Sequence, residues 1–443
     1  MKMMLKIFIT IILMLLNCHN LYSELSAEIL SDIQNYIKEN DGYIQGGIED
    51  YINKKYPPLD DRYEIYKWAV ENDSLNLKEK LKYYGIVIEI PAQLGNIEIA
   101  ETWFKDFKEK YKGADFTING YFGVRNVQTY LPSTEFRLQR EIEKYRQYYR
   151  AGEVKDYSKV IELLQKERDF LLSHIQELSG GELKNSFMIQ TEFTHFQQSG
   201  EIFELDNNMQ KAMEQYKQAV NNYEKKLINL DLIIPVKENL KKRYNILQNK
   251  IFLENNKIKD ESEEYRIQEE IIEYHSELGI FDGEIANQHL QRLIEIYKNK
   301  DFPVDGIIGV QSVSKYVPLD VLKFKAMIEE GQLYFERDFS KVINSWEKYR
   351  ESLLPYVKDI KEEKQHNEAI IYTEFSYYDH LGRLYDEEYK IYPDAQKYFE
   401  KAMTGYENKI VNLHLDEKQK NDLQEKYDDI KSRYERSKSS VNP

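Results

Sequence analysis

The feature that constrains this chain most is an internal repeat. Three short segments occur twice, in the same order and at nearly the same spacing. The matched pairs are residues 120–132 with 306–318, residues 156–161 with 338–343, and residues 191–193 with 373–375. Self-similarity of this kind is typical of a unit that has been duplicated in tandem. We therefore predict two related copies, at residues 61–250 and 266–437, joined by a polar and charged junction at residues 251–265.

Each copy has the pattern of an all-α unit built from three helical hairpins. Large apolar residues recur one or two helical turns apart, as at Phe104, Phe107 and Tyr111 in the first copy and at Leu290 and Leu293 in the second. No stretch alternates with a period of two between turn signals, so we expect no sheet. The 10 prolines and 19 glycines among 443 residues also favour long helices over many-turned sheets.

The last hairpin of each copy places a glycine and an aromatic residue on one helix, and two alanines around an aromatic residue on the next. These residues are Gly200, Phe203, Ala212, Tyr216 and Ala219 in the first copy, and Gly382, Tyr385, Ala395, Phe399 and Ala402 in the second. The pattern resembles the tetratricopeptide (TPR) repeat. The resemblance implies an α-solenoid, in which each hairpin covers the apolar face of its neighbour. A generic array of helical hairpins is the alternative, and it predicts nearly the same shape.

The N-terminus has the composition of an export signal. Lys2 and Lys6 precede an apolar run at residues 7–16, which is about half the length that a membrane-spanning helix needs. We predict that residues 1–23 direct export. The segment at residues 24–60 has no counterpart in the repeat and forms an N-terminal lead-in, and residues 438–443 form a polar tail that we expect to fray.

Cys18 is the only cysteine, and it lies just after the apolar run. The sequence Leu-Leu-Asn-Cys at residues 15–18 resembles a bacterial lipobox of the spirochaete type. The resemblance implies that Cys18 is acylated and anchors the protein to a membrane, where more than one acyl chain gives stable attachment. The alternative is an ordinary signal peptide cleaved after Ser23, which would leave a soluble periplasmic or secreted protein.

The rest of the sequence contains no common catalytic signature. The phosphate-binding, zinc-protease and nucleophile-elbow motifs are absent, and no two histidines lie three or four residues apart. We therefore expect no enzyme, no cofactor and no metal, and we interpret the scattered histidines as helix-surface residues rather than as a site assembled in space. The net charge of −15, without a basic tract, argues against nucleic acid as a partner.

The TPR resemblance also implies where a partner would bind, because TPR proteins use the first-helix side chains that line a concave face. Carried over to this sequence, the first-copy face consists of Thr194, Gln197, Glu201 and Glu204, and the second-copy face of Ser376, Asp379, Arg383 and Asp386. These faces are mainly acidic, so we expect a protein or peptide partner with a basic segment and salt-sensitive binding. The alternative for these residues is an ordinary solvated helix face.

Two other functions remain open from the sequence. The protein could be a small-ligand or glycan receptor, associated with a transporter and holding its ligand between the two copies, or an envelope enzyme. Within the repeated segments, Glu192 and Glu374 either point into a groove or pair with a neighbouring lysine. Residues 120–132 and 306–318 form either a ligand-gripping loop or a repeated turn with a helix cap.

Overall fold

The computed structural model describes residues 59–71, 75–120, 123–150, 155–175, 178, 181–255, 260–276, 278, 280–333, 339–388 and 391–441. The predicted export signal with Cys18, the lead-in as far as residue 58, and the last two residues of the tail lie outside the described residues.

The packing divides the chain into two compact units, residues 1–191 and residues 192–443. This division falls within the first predicted copy and not at the predicted junction. At the junction itself, one helix continues to Glu254 and the next begins at Glu261. Since most of the described residues are helical and very few lie in strands, the all-α prediction is confirmed.

The described part of the first unit contains six helices and a small hairpin. In order, they are α1 (Leu59–Glu71), α2 (Leu77–Gln93), α3 (Ile97–Tyr111), β1 (Thr117–Gly120), β2 (Gly123–Asn126), a 3₁₀ turn (Val127–Thr129), α4 (Leu131–Tyr148), α5 (Ser158–His174) and α6 (Gly181–Ile189). A wide π turn, Gln190–Thr194, follows α6.

The second unit is also built mainly from helices joined by short turns. Its elements are α7 (His195–Leu205), α8 (Met209–Asn222), a π turn (Tyr223–Leu227), α9 (Ile234–Glu254), α10 (Glu261–Ser276), α11 (Ile280–Tyr297), β3 (Pro303–Val304), β4 (Gln311–Ser312), α12 (Val313–Gly331), α13 (Phe339–Val357), α14 (Glu363–Ile371), a π turn (Tyr372–Ser376), α15 (Tyr377–Arg383), a π turn (Leu384–Glu388), α16 (Tyr392–Asn408), a 3₁₀ turn (Ile410–Asn412) and α17 (Glu417–Val441). Helices adjacent in sequence make most of the contacts, as in α7 with α8 and α16 with α17.

Tyrosine rings fill the space between paired helices. Tyr84 on α2 meets Tyr111 on α3 edge-on, with ring centroids 5.5 Å apart. Tyr265 on α10 meets Tyr297 on α11 in the same way at 5.0 Å. These four rings are almost fully buried. Many of the tyrosines in this chain therefore serve as core, because a large ring bridges the gap between two helix axes.

The expectation of no sheet is wrong in one place in each unit. β1 pairs with β2 and β3 pairs with β4, both antiparallel, inside or beside the repeated segments 120–132 and 306–318. Strands of two to four residues are too short to display an alternating pattern, so the sequence carries no period-two signal for them.

The repeated segments act as a turn followed by a helix cap. The side chain of Asn126 accepts a hydrogen bond from the backbone of Gln128 at 2.9 Å, and that of Ser312 accepts one from Ser314 at 3.3 Å. In the second segment, Tyr316 donates to the carbonyl of Gly309, which has a left-handed φ of 75°. The contacts therefore favour the turn-with-cap interpretation over a ligand-gripping loop.

Glu192 and Glu374 both pair with lysine. Glu192 lies 2.8 Å from Lys226, and Glu374 lies 2.8 Å from Lys409. Both glutamates belong to π turns, Gln190–Thr194 and Tyr372–Ser376. The two glutamates therefore pair with lysine and do not point into a groove, and each pair connects its π turn to the residues that follow the next hairpin.

The last hairpin of each predicted copy is packed as closely as the sequence suggests. A Cβ atom on Gly200 would lie 2.3 Å from the ring of Tyr216, and one on Gly382 would lie 2.5 Å from the ring of Phe399. The four alanines of the pattern, Ala212, Ala219, Ala395 and Ala402, are completely buried. Phe203 and Tyr385 are half-buried, and Tyr385 stacks on Tyr398.

Candidate functional site

A cluster of charged side chains lies inside the second unit, around Glu204 on α7. Lys250 on α9 and Tyr216 on α8 each donate to Glu204 Oε2 at 2.6 Å. His289 on α11 reaches Glu204 Oε1 at 2.8 Å. The other ring nitrogen of His289 lies 3.3 Å from the amide oxygen of Gln268 on α10. Five helices therefore contribute to one ionic network.

Glu204 is ionised in this network. Burial by itself would raise the pKa of Glu204, but the charge of Lys250 and the hydrogen bonds from His289 and Lys250 outweigh burial and hold the pKa well below its ordinary value. Burial and the Glu204 charge raise the pKa of Tyr216 well above its usual range. Burial lowers the pKa of His289, so its imidazole is neutral near pH 7. The cluster is therefore a carboxylate with an ammonium, a phenol and a neutral imidazole as donors.

A second group of polar side chains lies about one turn of α7 away from Glu204. Glu201 on α7 accepts a hydrogen bond from Gln197 at 2.8 Å. His275, in the last turn of α10, lies with Nδ1 2.8 Å from Asp282 Oδ1, in the first turn of α11. Burial, and then the charge of Asp282, raise the pKa of Glu201. Burial, and then the charge of Lys250, lower the pKa of His275 well below its ordinary value.

Most of the first-copy face is covered by helices. Arg243 on α9 donates to Thr194 at 3.0 Å and to Gln197 at 2.8 Å. Gln197 is 5% exposed and Glu204 is 3% exposed, while Thr194 and Glu201 are half-buried. The expectation that Gln197 and Glu204 lie on an open concave face is therefore wrong. α9, α10 and α11 pack over that face and bind its polar groups.

The second-copy face has different surroundings. Its four residues, Ser376, Asp379, Arg383 and Asp386, are all half-buried. Arg383 donates to Asp379 and to Asp429 of α17, each at 2.8 Å. Arg433 of α17 lies 3.7 Å from Asp386 and 3.0 Å from Asp429. This mixed-charge network reaches the surface, since the side chain of Asp429 is 45% exposed.

Each of the two faces contains an ion pair, and the two pairs occupy matching positions in the predicted copies. The Lys250–Glu204 pair and the Arg433–Asp386 pair each join the first helix of the hairpin, or its π turn, to the long helix that follows. The side chains of the first pair are 1% and 3% exposed, and those of the second are 18% and 20% exposed. The ion pair is therefore buried in the first predicted copy and partly exposed in the second.

The interpretation of the histidines as helix-surface residues is wrong for His275 and His289, which are 0% and 5% exposed, and for His195, which is 6% exposed. His414 fits that interpretation, with its side chain 87% exposed. His275 lies seven residues from Asp282, and His289 lies 85 residues from Glu204. Neither contact has the spacing of three or four residues by which two histidines on one helix face can be recognised in a sequence.

A second pair of acidic groups is buried near α10 and α12. Tyr265 donates a short hydrogen bond to Asp320, and Glu269 also hydrogen-bonds Asp320. Burial and the charge of Asp320 raise the pKa of Glu269 to about 8, and burial raises the pKa of Asp320 to about 6. The pair therefore shares a proton near neutral pH.

No family model matches this chain, and no curated protein matches it. Among the described residues, no helix is both long enough and apolar enough to cross a membrane.

Proposed function

We propose that this protein is an exported, lipid-anchored α-solenoid scaffold of TPR-like hairpins that binds a protein or peptide partner in the cell envelope. The observation that carries the proposal is the close packing of Gly200 against Tyr216 and of Gly382 against Phe399. Contacts of this kind let two helices of a hairpin approach closely. In repeat proteins, such hairpins stack into a continuous surface suited to binding an extended partner.

Repeated contacts support the tandem duplication that the proposal contains. Tyr223 stacks on Tyr244 with ring centroids 4.3 Å apart, and Tyr406 stacks on Tyr427 at 4.5 Å. Each pair joins the end of a hairpin to the long helix that follows it, α9 or α17. Matching contacts at matching sequence positions are what two copies of one unit would produce.

The second-copy face is the proposed partner surface. Asp379 and Asp386, together with Asp429, place three carboxylates beside Arg383 and Arg433. A lysine or arginine of a partner can replace one arginine contact and keep the carboxylates paired. Because the groups are partly exposed, salt screens the attraction and weakens binding.

The anchor follows from Cys18 and the apolar run before it. Acylation of Cys18 would attach the helical units to a membrane surface. Metabolic labelling with an alkyne fatty acid tests this step: label should be incorporated into the wild-type chain and be absent from Cys18→Ser.

A crosslinked pull-down from envelope extract tests the scaffold. One bait is the wild type and the second carries Asp379→Lys and Asp386→Lys. The control bait carries one charge reversal of the same kind at an exposed position of α17, Glu417→Lys, where the side chain is 84% exposed. A partner captured by the wild type and the control, and lost with the second bait, supports the proposed surface. A partner retained by all three baits keeps the scaffold and excludes this face, whereas capture of nothing excludes the scaffold.

The placement of one polar cluster favours a second candidate function, that of a small-ligand receptor. Glu201 belongs to the first predicted copy and Asp282 to the second, and both are half-buried. Polar groups that converge between helices are a common setting for ligand sites. A thermal-shift screen with solutes and glycans tests it: a rise in melting temperature that Asp282→Asn abolishes would favour the receptor.

A further inference from the structure

Three side chains that can ligate a metal converge in the second unit. They are Glu201 on α7, His275 at the end of α10 and Asp282 at the start of α11. Each offers one ligand atom, and these three atoms all lie within 4.8 Å of one another. Ligand atoms that are each about 2.0–2.2 Å from one ion lie less than about 4.4 Å from one another. Small shifts of the three side chains would therefore be enough for them to bind a common ion.

A second observation at the same place points to a ligand. His275 is 0% exposed, and its Nε2 atom has no hydrogen-bond partner among the described residues. Buried polar atoms in folded proteins nearly always have a partner. A neutral imidazole can coordinate a transition metal through an unpaired nitrogen of this kind. Asp282, which contacts Nδ1 of the same ring, would then have to leave that nitrogen to reach the same ion.

The surroundings suit a cation that enters from solvent. The side chain of Asp282 is 24% exposed, whereas that of His275 is 1% exposed, so the group extends from the surface into the core. The amide of Gln197 donates to Glu201 and orients that carboxylate. The ammonium of Lys250 is bound to Glu204 and does not ion-pair with Glu201 or Asp282 in the described structure. Two carboxylates and an imidazole, which are all ligand types for a divalent cation, therefore lie together at this place.

We propose that Glu201, His275 and Asp282 bind one divalent transition-metal cation of the Zn²⁺ or Mn²⁺ type. One imidazole with two carboxylates is a mixed nitrogen and oxygen set, which such ions accept, while Ca²⁺ and Mg²⁺ prefer oxygen alone. Three protein ligands leave at least one position for water. The ion would tie α7 to the α10–α11 connection, and thus join the last hairpin of the first predicted copy to the first hairpin of the second.

The test uses the full-length, untagged chain. Metal is removed with EDTA, and ZnCl₂, MnCl₂ or MgCl₂ is added during isothermal titration calorimetry, with metal content after gel filtration as a second measure. We expect one Zn²⁺ or Mn²⁺ per chain, weak or absent binding of Mg²⁺, and a melting temperature that rises with metal concentration, because the ion binds the folded state. A folded wild-type chain that takes up neither Zn²⁺ nor Mn²⁺ overturns the proposal, whatever the variants do.

Three substitutions of similar shape test the ligands, namely Glu201→Gln, His275→Gln and Asp282→Asn. Each should weaken binding by at least about tenfold, as losses at metal sites do. His414→Gln is the control, because it removes an exposed histidine outside the group and should leave binding unchanged. Far-UV circular dichroism in EDTA establishes that each variant is folded. Asp282→Asn is the decisive variant, since its partly exposed side chain allows the change without loss of the fold, and undiminished affinity in this variant contradicts the site.

Discussion

Replacing Lys250 with methionine is the sharpest test of the buried cluster. Lys250 and Glu204 are 2.6 Å apart, and their side chains are 1% and 3% exposed. At an effective dielectric constant of about 20, this separation corresponds to a gross attraction of about 6 kcal/mol. The cost of removing both charges from water cancels much of that energy, but Lys250→Met leaves Glu204 buried without its cation. We expect a loss of about 3–5 kcal/mol in the free energy of unfolding.

The matched change at the second-copy face is Arg433→Met. Arg433 lies 3.7 Å from Asp386, and both side chains are partly exposed. Water solvates the remaining carboxylate there, so we expect a loss of only about 1 kcal/mol. The two variants remove a cation at matching positions of the two predicted copies, and they differ mainly in burial.

Urea denaturation at pH 7, followed by far-UV circular dichroism, measures both losses. Because the chain has two compact units, amide hydrogen exchange in α7 and α9 should accompany it and locate the destabilised unit. The double variant Lys250→Met/Glu204→Gln should recover part of the loss, since no uncompensated charge remains. Equal losses in Lys250→Met and Arg433→Met would refute the reasoning, because burial would then have no effect on the value of the pair.

Three further predictions concern other parts of the chain. Gly405→Ala should destabilise the protein by about 3 kcal/mol, because its Cβ would lie 2.0 Å from a backbone oxygen. Gly181→Ala is the control, since the space around Gly181 is open and the change should have almost no effect on stability. Thermal or urea unfolding measures both. In the folded state Glu269 keeps its proton up to a pKa of about 8, while the unfolded chain releases it near 4.5. Stability therefore falls as pH rises through this window, and Glu269→Gln should be more stable than wild type at pH 8 by at least about 1 kcal/mol but not at pH 4.5, as melting temperatures will show. Cys18→Ser should move the protein from the membrane pellet to the soluble fraction on cell fractionation, and its retention in the pellet would argue against the lipid anchor.

The sequence predicted the parts of this structure that depend on local spacing. The helical hairpins follow from apolar residues such as Phe104 and Phe107, and the tight contact at Gly200 follows from a glycine placed where an aromatic residue must fit. These features are visible within about one hairpin of sequence. They require no knowledge of which hairpins later meet.

The ionic cluster could not be predicted in this way. Glu204 meets Lys250 across 46 residues and His289 across 85 residues. Along the sequence, each of these residues resembles an ordinary polar position on an amphipathic helix, and for that reason the sequence predicts that Glu204 lies on an open face. Only the packing of α9 and α11 over α7 distinguishes a buried ion pair from a solvated one.

The π turn before α7 also sets the direction in which that helix faces. In a π turn the backbone hydrogen bonds span five residues instead of four, so one residue more is accommodated than in α-helix. Each residue of an α-helix advances the side-chain direction by about 100°. Deleting one residue from Gln190–Thr194 would therefore rotate α7 about its own axis by about 100° and carry Glu204 away from Lys250. The π turn therefore determines which residues of α7 face α9 and α11, and with them whether Glu204 can reach its buried cation.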